Sequence, residues 1–326
     1  MKSISVFLIG LLLFSCNQTK KQPIMDQKIV IAHRGASGYL PEHTLEAKAM
    51  AHTMNADFIE QDLVLSKDDI PIVIHDIYLD NVTDVATKFL DRKRNDNRYY
   101  VIDFTFDELK SLRVTERFNP KTGEQFYPNR FPKNKGNFKL HSLQEEIELI
   151  QGLNKSSSKN IGIYPEIKEP EFHRKEGKNL TEIVLKVLSD YGYKTKTDHC
   201  ILQCFDAKEL ERIRTELQSE LFLVQLIEFP EETKQLEHFA TYADGIGPYY
   251  KQILSEKVNG KFTFTSLVSD AHQLGLKVHP YTFRADSLNE FSSFEEMMQT
   301  LLIDANIDGC FTDFPDLVVD FLKDKL

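Results

Sequence analysis

Short apolar runs alternate with helical stretches along most of the chain, and this alternation constrains the fold more than any other feature of the sequence. The runs are rich in Ile, Val and Leu and indicate strands, while the stretches between them carry apolar residues at helical spacing. The predicted strands cover residues 28–33, 57–65 with a companion at 71–75, 161–168, 200–205, 221–227, 245–247, 277–283 and 309–312. The predicted helices cover residues 44–54, 143–153, 180–188, 207–217, 231–239, 266–274 and 294–305.

Repeated strand–helix units predict a parallel sheet, because parallel strands need a crossover connection that is usually a helix. Counting the companion strand with its neighbour gives eight units, which is the number in a TIM (β/α)8 barrel. The predicted fold class is therefore α/β, with a TIM barrel over residues 28–326. An open doubly wound sheet is the alternative, but the chain lacks the glycine-rich phosphate loop typical of that fold.

One segment interrupts the alternation after the second strand. Residues 80–140 are polar and irregular, and within them only 106–113 indicates a helix. Long segments of this kind inside a compact domain are usually functional or disordered. We predict a small insertion that caps the mouth of the barrel, with a solvated surface excursion as the alternative.

The N-terminus has the pattern of an export signal. A charged start and an apolar run over residues 4–14 precede Cys16, and a cysteine directly after the cut site resembles a bacterial lipoprotein signal. The run is too short for a transmembrane helix, which needs ~20 apolar residues. We predict a signal peptide at 1–15, a lipidated tether at 16–27 and a location in the bacterial periplasm or cell envelope. An ordinary signal peptide with an incidental cysteine is the alternative.

Charge and cysteine content narrow the possible partners. The formal net charge is −10, which argues against a nucleic-acid partner and gives no general attraction to anionic surfaces. Cys200 and Cys204 share one predicted strand, where residues four apart are separated by ~13 Å, beyond the ~7 Å limit for a disulfide. With Cys310 they are predicted to be free, buried thiols, and the absence of a CxxC pair argues against structural zinc.

Charged and titratable side chains stand at or near the ends of several predicted strands. They are His33, Arg34, Glu60, Asp62, His75, Glu166 and Lys168. Side chains alternate between the two faces of a strand, so the residues of Glu60-x-Asp62 and of Glu166-x-Lys168 each share one face. Because the chemistry of such barrels lies at the carboxyl ends of the strands, we expect these groups to meet. Their combination predicts metal-assisted chemistry on a phosphate ester.

Three of these residues are predicted metal ligands. Glu60, Asp62 and Glu166 offer oxygen atoms only, which selects Ca²⁺ or Mg²⁺ over zinc. The alternative is that these carboxylates form salt bridges with Lys168 and Arg34.

The two histidines are predicted to transfer protons. Phosphodiester hydrolysis needs a base for the attacking oxygen and an acid for the leaving oxygen, and histidine titrates near neutral pH. His33 and His75 fill these roles in either order, with a structural role as the alternative. Arg34 and Lys168 are predicted to neutralise phosphate charge. Asp76 is not expected to orient His75, because adjacent strand residues face opposite ways.

Four further residues are candidates for the lining of the substrate site. Gln203 and Phe205 share one strand face, Tyr281 lies on another strand, and Arg284 beyond its end is a second candidate anion contact. Core packing explains each aromatic residue equally well. Seven other histidines are assigned to the surface or to packing, and they are His43, His52, His141, His173, His199, His238 and His272.

A set of motifs, in order along residues 28–326, resembles the glycerophosphodiester phosphodiesterases, and the long insertion resembles their periplasmic bacterial class. The motifs are Ala32-His33-Arg34-Gly35-Ala36, Pro41-Glu42-His43-Thr44, Glu60-Gln61-Asp62, His75-Asp76, Pro165-Glu166-Ile167-Lys168, Gln203-Cys204-Phe205-Asp206, His279-Pro280-Tyr281-Thr282-Phe283-Arg284 and Thr312-Asp313-Phe314-Pro315-Asp316.

The resemblance implies a TIM barrel with an insertion after the second strand. It also implies cleavage of glycerophosphodiesters, such as glycerophosphocholine or glycerophosphoethanolamine, to glycerol 3-phosphate and an alcohol. Carried onto this sequence, its functional residues are the metal ligands Glu60, Asp62 and Glu166, the acid/base pair His33 and His75, and the phosphate contacts Arg34 and Lys168. We predict one divalent cation, Ca²⁺ ahead of Mg²⁺, and a small-molecule phosphodiester substrate.

The sequence also leads to expectations about binding partners and alternative functions. We predict no nucleic-acid or protein partner, and membrane attachment through the lipid on Cys16 alone. Two other functions fit the pattern: a lipid-directed phosphodiesterase on a related barrel, and a lipoprotein that binds phosphoesters without catalysis. The attacking oxygen is either water or the neighbouring glycerol hydroxyl, and the sequence does not choose between them.

Overall fold

Eight parallel strands curve into a nearly closed barrel in the computed structural model of this chain, which describes residues 27–325. Two kinds of strand lie outside the parallel set: one antiparallel companion and one separate hairpin. The strands are β1 (Ile29–Ala32), β2 (Phe58–Leu65), β3 (Pro71–Val73), β4 (Gly162–Ile167), β5 (Ile201–Cys204), β6 (Phe222–Ile227), β7 (Gly245–Pro248), β8 (Leu254–Val258), β9 (Lys261–Phe264), β10 (Lys277–Val278) and β11 (Gly309–Thr312).

The order of the strands confirms the predicted barrel over the open sheet. Neighbours around the barrel run β10, β7, β6, β5, β4, β2, β1 and β11, and β3 pairs antiparallel with β2. The segment after β10 closes the ring against β11, where the Phe283 amide donates to the Phe311 carbonyl at 2.8 Å and the Asp313 amide donates to the Phe283 carbonyl at 3.2 Å. All eight carboxyl ends therefore surround one mouth.

Helices cover the outside of the barrel, and two short helices lie in the insertion. They are α1 (Leu45–Thr53), α2 (Val85–Lys88), α3 (Phe106–Ser111), α4 (Leu143–Ser157), α5 (Pro170–Lys175), α6 (Leu180–Asp190), α7 (Ala207–Thr215), α8 (Leu236–Phe239), α9 (Leu267–Gln273), α10 (Phe294–Met298) and α11 (Pro315–Lys325). Thr44 caps α1 by accepting from the Ala47 amide, and Ser142 with Glu145 forms a capping box at the start of α4.

Several elements differ from the prediction. The run 277–283 forms a regular strand only over Lys277–Val278, because Pro280 has no amide hydrogen to continue the ladder. The hairpin β8–β9 carries mostly exposed polar residues and therefore gives no apolar strand signal. Helices α5 and α11 were not predicted either, although a proline at the first turn marks the start of both.

The insertion over residues 80–140 is more ordered than its polar composition predicts. It contains α2, α3 and a single turn of 3₁₀-helix at Val101–Asp103. Its buried apolar residues form a separate core with side chains at the end of β2 and on β3. The members of this core are Val64, Ile72, Ile74, Leu79, Val82, Val85, Tyr99, Val101, Phe104, Leu109, Leu112, Val114, Phe138 and Leu140. The apolar positions are spread too widely along the segment to produce a strand or helix period, and that is why the core was missed.

The inside of the barrel below the mouth is filled with large side chains, including Phe58, Tyr164 and Phe311. Cys200, Cys204 and Cys310 are buried free thiols, as predicted. Within residues 27–325 there is no helix with the length and apolar character needed to cross a bilayer. The predicted signal peptide, Cys16 and nearly all of the tether lie outside the described residues.

Candidate active site

Three carboxylates lie together at the mouth of the barrel. Glu60 and Asp62 of β2 and Glu166 of β4 are buried, and one oxygen atom from each lies within 4.8 Å of the others. The pairing of β2 with β4 sets Asp62 opposite Glu166 and so brings the acids of the two strands to the same level. Among the described residues no group donates a hydrogen bond to the buried Asp62 Oδ1. An unpartnered carboxylate oxygen among acids is what an oxygen-binding cation would satisfy, so the set fits Ca²⁺ or Mg²⁺.

The electrostatics of the three acids agree with this fit. Burial and the negative charges of Asp62 and Glu166 raise the pKa of Glu60 well above its usual value. Burial raises the pKa of Glu166 to about 8, against the opposing effect of Lys168. Burial acts in the same direction on Asp62, but Lys168 and His43 outweigh it and hold the pKa of Asp62 well below its usual value. A cation between these groups would relieve the repulsion that raises the first two pKa values.

Each of the two predicted catalytic histidines forms a hydrogen bond with a carboxylate through Nδ1. His33 Nδ1 lies 2.5 Å from Asp313 Oδ1, and His75 Nδ1 lies 2.6 Å from Asp76 Oδ1. The second contact corrects the expectation that Asp76 faces away from His75. Because β3 ends at Val73, the two residues lie in a turn, where strand alternation does not apply.

Both histidines favour the neutral form. Burial and then the positive charge of Arg34 lower the pKa of His33 to about 4. Burial lowers the pKa of His75 to about 3, with Arg34 and Lys168 acting in the same direction. Neutral imidazole rings at the mouth are able to accept a proton at neutral pH.

Arg34 and Lys168, the predicted phosphate contacts, pair with acidic side chains of the site. Arg34 Nη1 donates to both carboxylate oxygens of Glu42 at 3.1 Å, and its Nε lies 3.7 Å from Asp62 Oδ2 without a hydrogen-bond partner. Lys168 Nζ lies 2.8 Å from Glu166 Oε1 and 3.5 Å from His75 Nε2. The two cations therefore stand beside the three acids, and the buried Arg34 Nε has no hydrogen-bond partner among the described residues.

The predicted lining residues face the same space. A cavity of about 210 Å³ has on its wall every predicted site residue at the mouth except Lys168. Gln203 Nε2 donates to Glu60 Oε1 at 3.1 Å, the Phe205 and Tyr281 rings meet edge to face at 5.8 Å, and Arg284 Nε donates to Asp313 Oδ2 at 2.8 Å. Arg284, predicted as an anion contact, is thus engaged by a carboxylate.

Four contacts of the site were not predicted. His43, assigned to the surface or to packing, lies with its Nε2 2.7 Å from Asp62 Oδ2, so that assignment was wrong. Its place in the Pro41-Glu42-His43-Thr44 motif was the available signal. Asp313 directly follows β11, where the rule about strand ends would have found it. Arg117 and Arg130 lie in the irregular insertion, and no pattern in the sequence marks them.

A buried polar network supports β2 from outside the barrel. Glu146 of α4 lies with Oε1 3.0 Å from Lys48 Nζ and Oε2 2.7 Å from His141 Nε2, and Gln61 Nε2 donates to Glu146 Oε1 at 2.7 Å. Lys48 also donates to the Glu60 carbonyl. The network therefore holds the backbone between the two acids of β2 against α1 and α4.

A second cavity of about 290 Å³ continues the first toward the insertion. His33, Arg34, His75 and Arg284 border both spaces. Insertion residues complete the wall of the second cavity, and they are Arg117, Phe126, Tyr127 and Arg130. The site is therefore a cleft with two lobes that meet at the histidines.

Glu116 of the insertion is expected to make the stability of the folded protein depend on pH. Its side chain is buried, Oε2 lacks a hydrogen-bond partner, and burial together with Glu42 raises its pKa to about 8 from the usual value of 4.5. The folded protein then binds more protons than the unfolded chain between these pH values, so this group makes stability fall as pH rises from 4.5 to 8. The effect is at most about 1.4 kcal/mol per unit of pKa shift.

We expect Glu116→Gln to flatten that dependence, which denaturant unfolding at pH 5, 7 and 9 would measure. The variant should be more stable than the unmodified protein at pH 9. Glu124→Gln, at an exposed position of the insertion, is the matched control and should leave the slope unchanged. Equal slopes for Glu116→Gln and the unmodified protein would contradict the raised pKa.

Comparisons with known proteins agree with this geometry. The model of the glycerophosphoryl diester phosphodiesterase family matches residues 33–317. A glycerophosphodiester phosphodiesterase from Haemophilus influenzae is 46% identical, with 97% of this chain and 95% of that protein covered. One from Treponema pallidum is 37% identical, with 91% of this chain and 92% of that protein covered.

Solved structures are similar in fold. A phosphodiesterase from Oleispira antarctica, in complex with the product sn-glycerol-3-phosphate, has a TM-score of 0.63 at 21% identity, with 92% of this chain and 97% of that chain covered. A glycerophosphodiester phosphodiesterase from Agrobacterium tumefaciens has a TM-score of 0.61 at 18% identity, with 90% and 100% covered. Both support the TIM barrel described above.

Proposed function

This chain belongs to the glycerophosphoryl diester phosphodiesterase family, and we propose that it hydrolyses glycerophosphodiesters with a divalent cation and two histidines. Membership makes it a phosphodiesterase that acts on glycerophosphodiesters. The substrates that we propose are headgroup diesters such as glycerophosphocholine and glycerophosphoethanolamine, and the products are glycerol 3-phosphate and the free alcohol.

One observation carries the proposal. Three buried carboxylates and two histidines, each histidine held by a carboxylate at Nδ1, face one cavity of about 210 Å³. The two lobes of the cleft, about 210 and 290 Å³, are of suitable size for a deacylated headgroup diester. The acids supply cation ligands and the histidines supply the two proton transfers that ester cleavage needs.

The residues of the chain have separate tasks in this reaction. Glu60, Asp62 and Glu166 would hold a divalent cation, Ca²⁺ in our proposal, which when bound polarises the phosphoryl oxygens and stabilises their charge. Arg34, whose Nε has no hydrogen-bond partner among the described residues, binds a non-bridging phosphate oxygen.

The histidines move the protons. One of His33 and His75 takes the proton of the attacking oxygen at Nε2, and the other protonates the oxygen of the leaving alcohol. The phosphate anion offsets the charge of Arg34, which is one cause of the low pKa of both rings, so substrate binding favours the protonated state that the acid requires.

The experiment compares soluble and membrane substrates. Release of glycerol 3-phosphate from glycerophosphocholine and glycerophosphoethanolamine is measured beside cleavage of intact phosphatidylcholine vesicles. We expect turnover of the soluble diesters and none of the vesicles. Cleavage of vesicles alone would favour the lipid-directed phosphodiesterase, and diester binding without product would favour the non-catalytic lipoprotein.

We propose further that the enzyme is exported and anchored to the bacterial cell envelope through Cys16. The basis is the charged start, the short apolar run and the cysteine that follows the small residue Ser15. Cells expressing the full chain should incorporate labelled palmitate into the protein, and Cys16→Ser should abolish the label. Export of an unlabelled protein would instead indicate an ordinary signal peptide.

A further inference from the structure

Two arginines of the insertion reach the two histidines, each through one carboxylate. Arg130 Nη2 donates to Asp313 Oδ2 at 2.7 Å, and Asp313 holds the ring of His33 through its other oxygen. In the same way Arg117 Nη1 donates to Asp76 Oδ2 at 2.7 Å, and Asp76 holds His75. The same chain of contacts is thus built twice, once for each histidine.

Both arginines are fixed by a second partner. The Arg130 side chain is 5% exposed, its guanidinium lies 3.6 Å from the centre of the Tyr127 ring, and it donates to both oxygens of Asp286 at 2.8 and 3.0 Å. Arg117 donates to both oxygens of Glu42 at 2.9 and 2.7 Å. A planar guanidinium held on two sides keeps the rotamer of the aspartate that it contacts.

The aspartates in turn decide which ring nitrogen is free. An ionised carboxylate only accepts hydrogen bonds, so Nδ1 of each histidine donates its hydrogen and Nε2 is the nitrogen that can accept a proton. Nε2 of His75 lies 3.5 Å from Lys168 Nζ. Neighbouring arginines and the hydrogen bonds from the histidines keep both aspartates ionised. Burial alone would raise the pKa of Asp313, but Arg284, His33 and Arg130 hold it well below its usual value. His75 and Arg117 likewise lower the pKa of Asp76 against its burial.

We propose that Arg117 and Arg130 are positioning residues, through which the insertion fixes the ring orientation and tautomer of His75 and His33. The insertion is then part of the proton-transfer machinery as well as a wall of the cleft. This inference rests on the proposed function, because it presupposes that the two histidines transfer protons.

The test uses Arg117→Met and Arg130→Met in the full chain with two substrates. Glycerophosphocholine has an alkoxide leaving group that needs a proton. The p-nitrophenyl ester of glycerol 3-phosphate releases p-nitrophenolate, which leaves without one. We expect each variant to lose roughly 10- to 100-fold in kcat on glycerophosphocholine, the range known for residues that orient metal-binding side chains. KM should change by less than about threefold, because neither arginine is proposed to bind the phosphate.

The second substrate separates positioning from a general loss of structure. The variant that acts through the acid should recover most of its kcat on the p-nitrophenyl ester, and the other variant should not. Arg284 also donates to Asp313 at 2.8 Å, whereas the further donor to Asp76 is the uncharged amide of Asn81 at 3.3 Å, so the loss should be smaller for Arg130→Met. Lysine keeps the charge and one hydrogen bond, so Arg117→Lys and Arg130→Lys should restore part of kcat and keep the proposal testable if a methionine variant fails to fold.

Arg94→Met is the matched control. Arg94 also lies in the insertion, forms ion pairs with Asp103 and with Glu176 directly after α5, and lines neither lobe of the cleft. It should retain kcat on both substrates. Arginine variants that match this control, or that raise KM alone, would overturn the inference. Failure of the proposed function is distinguishable, since the unmodified protein would then cleave neither substrate.

Discussion

Replacement of His33 or His75 with alanine is expected to lower kcat on glycerophosphocholine by about 10²- to 10⁴-fold, the range for loss of a general acid or base. Each ring lies at the junction of the two lobes of the cleft and is held by its own carboxylate. Since the two proton transfers act at different oxygens, neither histidine can take over the role of the other. Steady-state release of glycerol 3-phosphate measures the loss.

The matched control for these variants is His238→Ala. His238 is exposed on α8, lies 3.6 Å from Glu211 and lines neither lobe of the cleft. Its removal should leave kcat unchanged. Near-normal turnover by either His33→Ala or His75→Ala, with the control also active, would contradict the assignment of these residues to proton transfer.

The second large effect is expected for Asp62→Asn. The change keeps the size of the side chain but removes one of three negative charges, and the number of charged ligands is a main determinant of Ca²⁺ affinity. We expect Ca²⁺ binding to weaken by roughly 100-fold or more, with a comparable loss of activity at low Ca²⁺. Calorimetric titration of the metal-free protein measures binding without depending on turnover.

Asp69→Asn serves as the control for metal binding. Asp69 follows β2 in an exposed turn, pairs with Lys178 and does not line the cavity that holds the three acids. This variant should bind Ca²⁺ as the unmodified protein does. Unchanged affinity in Asp62→Asn would show that the carboxylate cluster is not the metal site.

The fold was predictable because its signal is local and repeated. Each buried strand of a parallel barrel is an apolar run, and each crossover helix has an apolar face, so the alternation can be read along the chain. The hairpin β8–β9 was not predicted because both of its strands are largely exposed and lack an apolar run. The core of the insertion was not predicted because its apolar residues lie in turns and single bridges and do not recur at a regular spacing in the sequence.

The site was predictable as far as it follows strand geometry. Glu60, Asp62 and Glu166 meet because alternation along β2 and the register with β4 bring them to the same level. Asp76 was misjudged because the rule of alternation was applied beyond the end of β3. The contacts of Arg117 and Arg130 depend on how a loop folds over the mouth, and sequence spacing carries no information about that.

The most direct test measures glycerol 3-phosphate released from glycerophosphocholine by protein that starts after Cys16, first with EDTA and then with Ca²⁺ or Mg²⁺ restored. We expect no release with EDTA and recovery with metal, since the three acids and the histidines must work together. We also expect higher activity with Ca²⁺ than with Mg²⁺. Full activity in EDTA after exhaustive removal of metal would contradict the proposed mechanism.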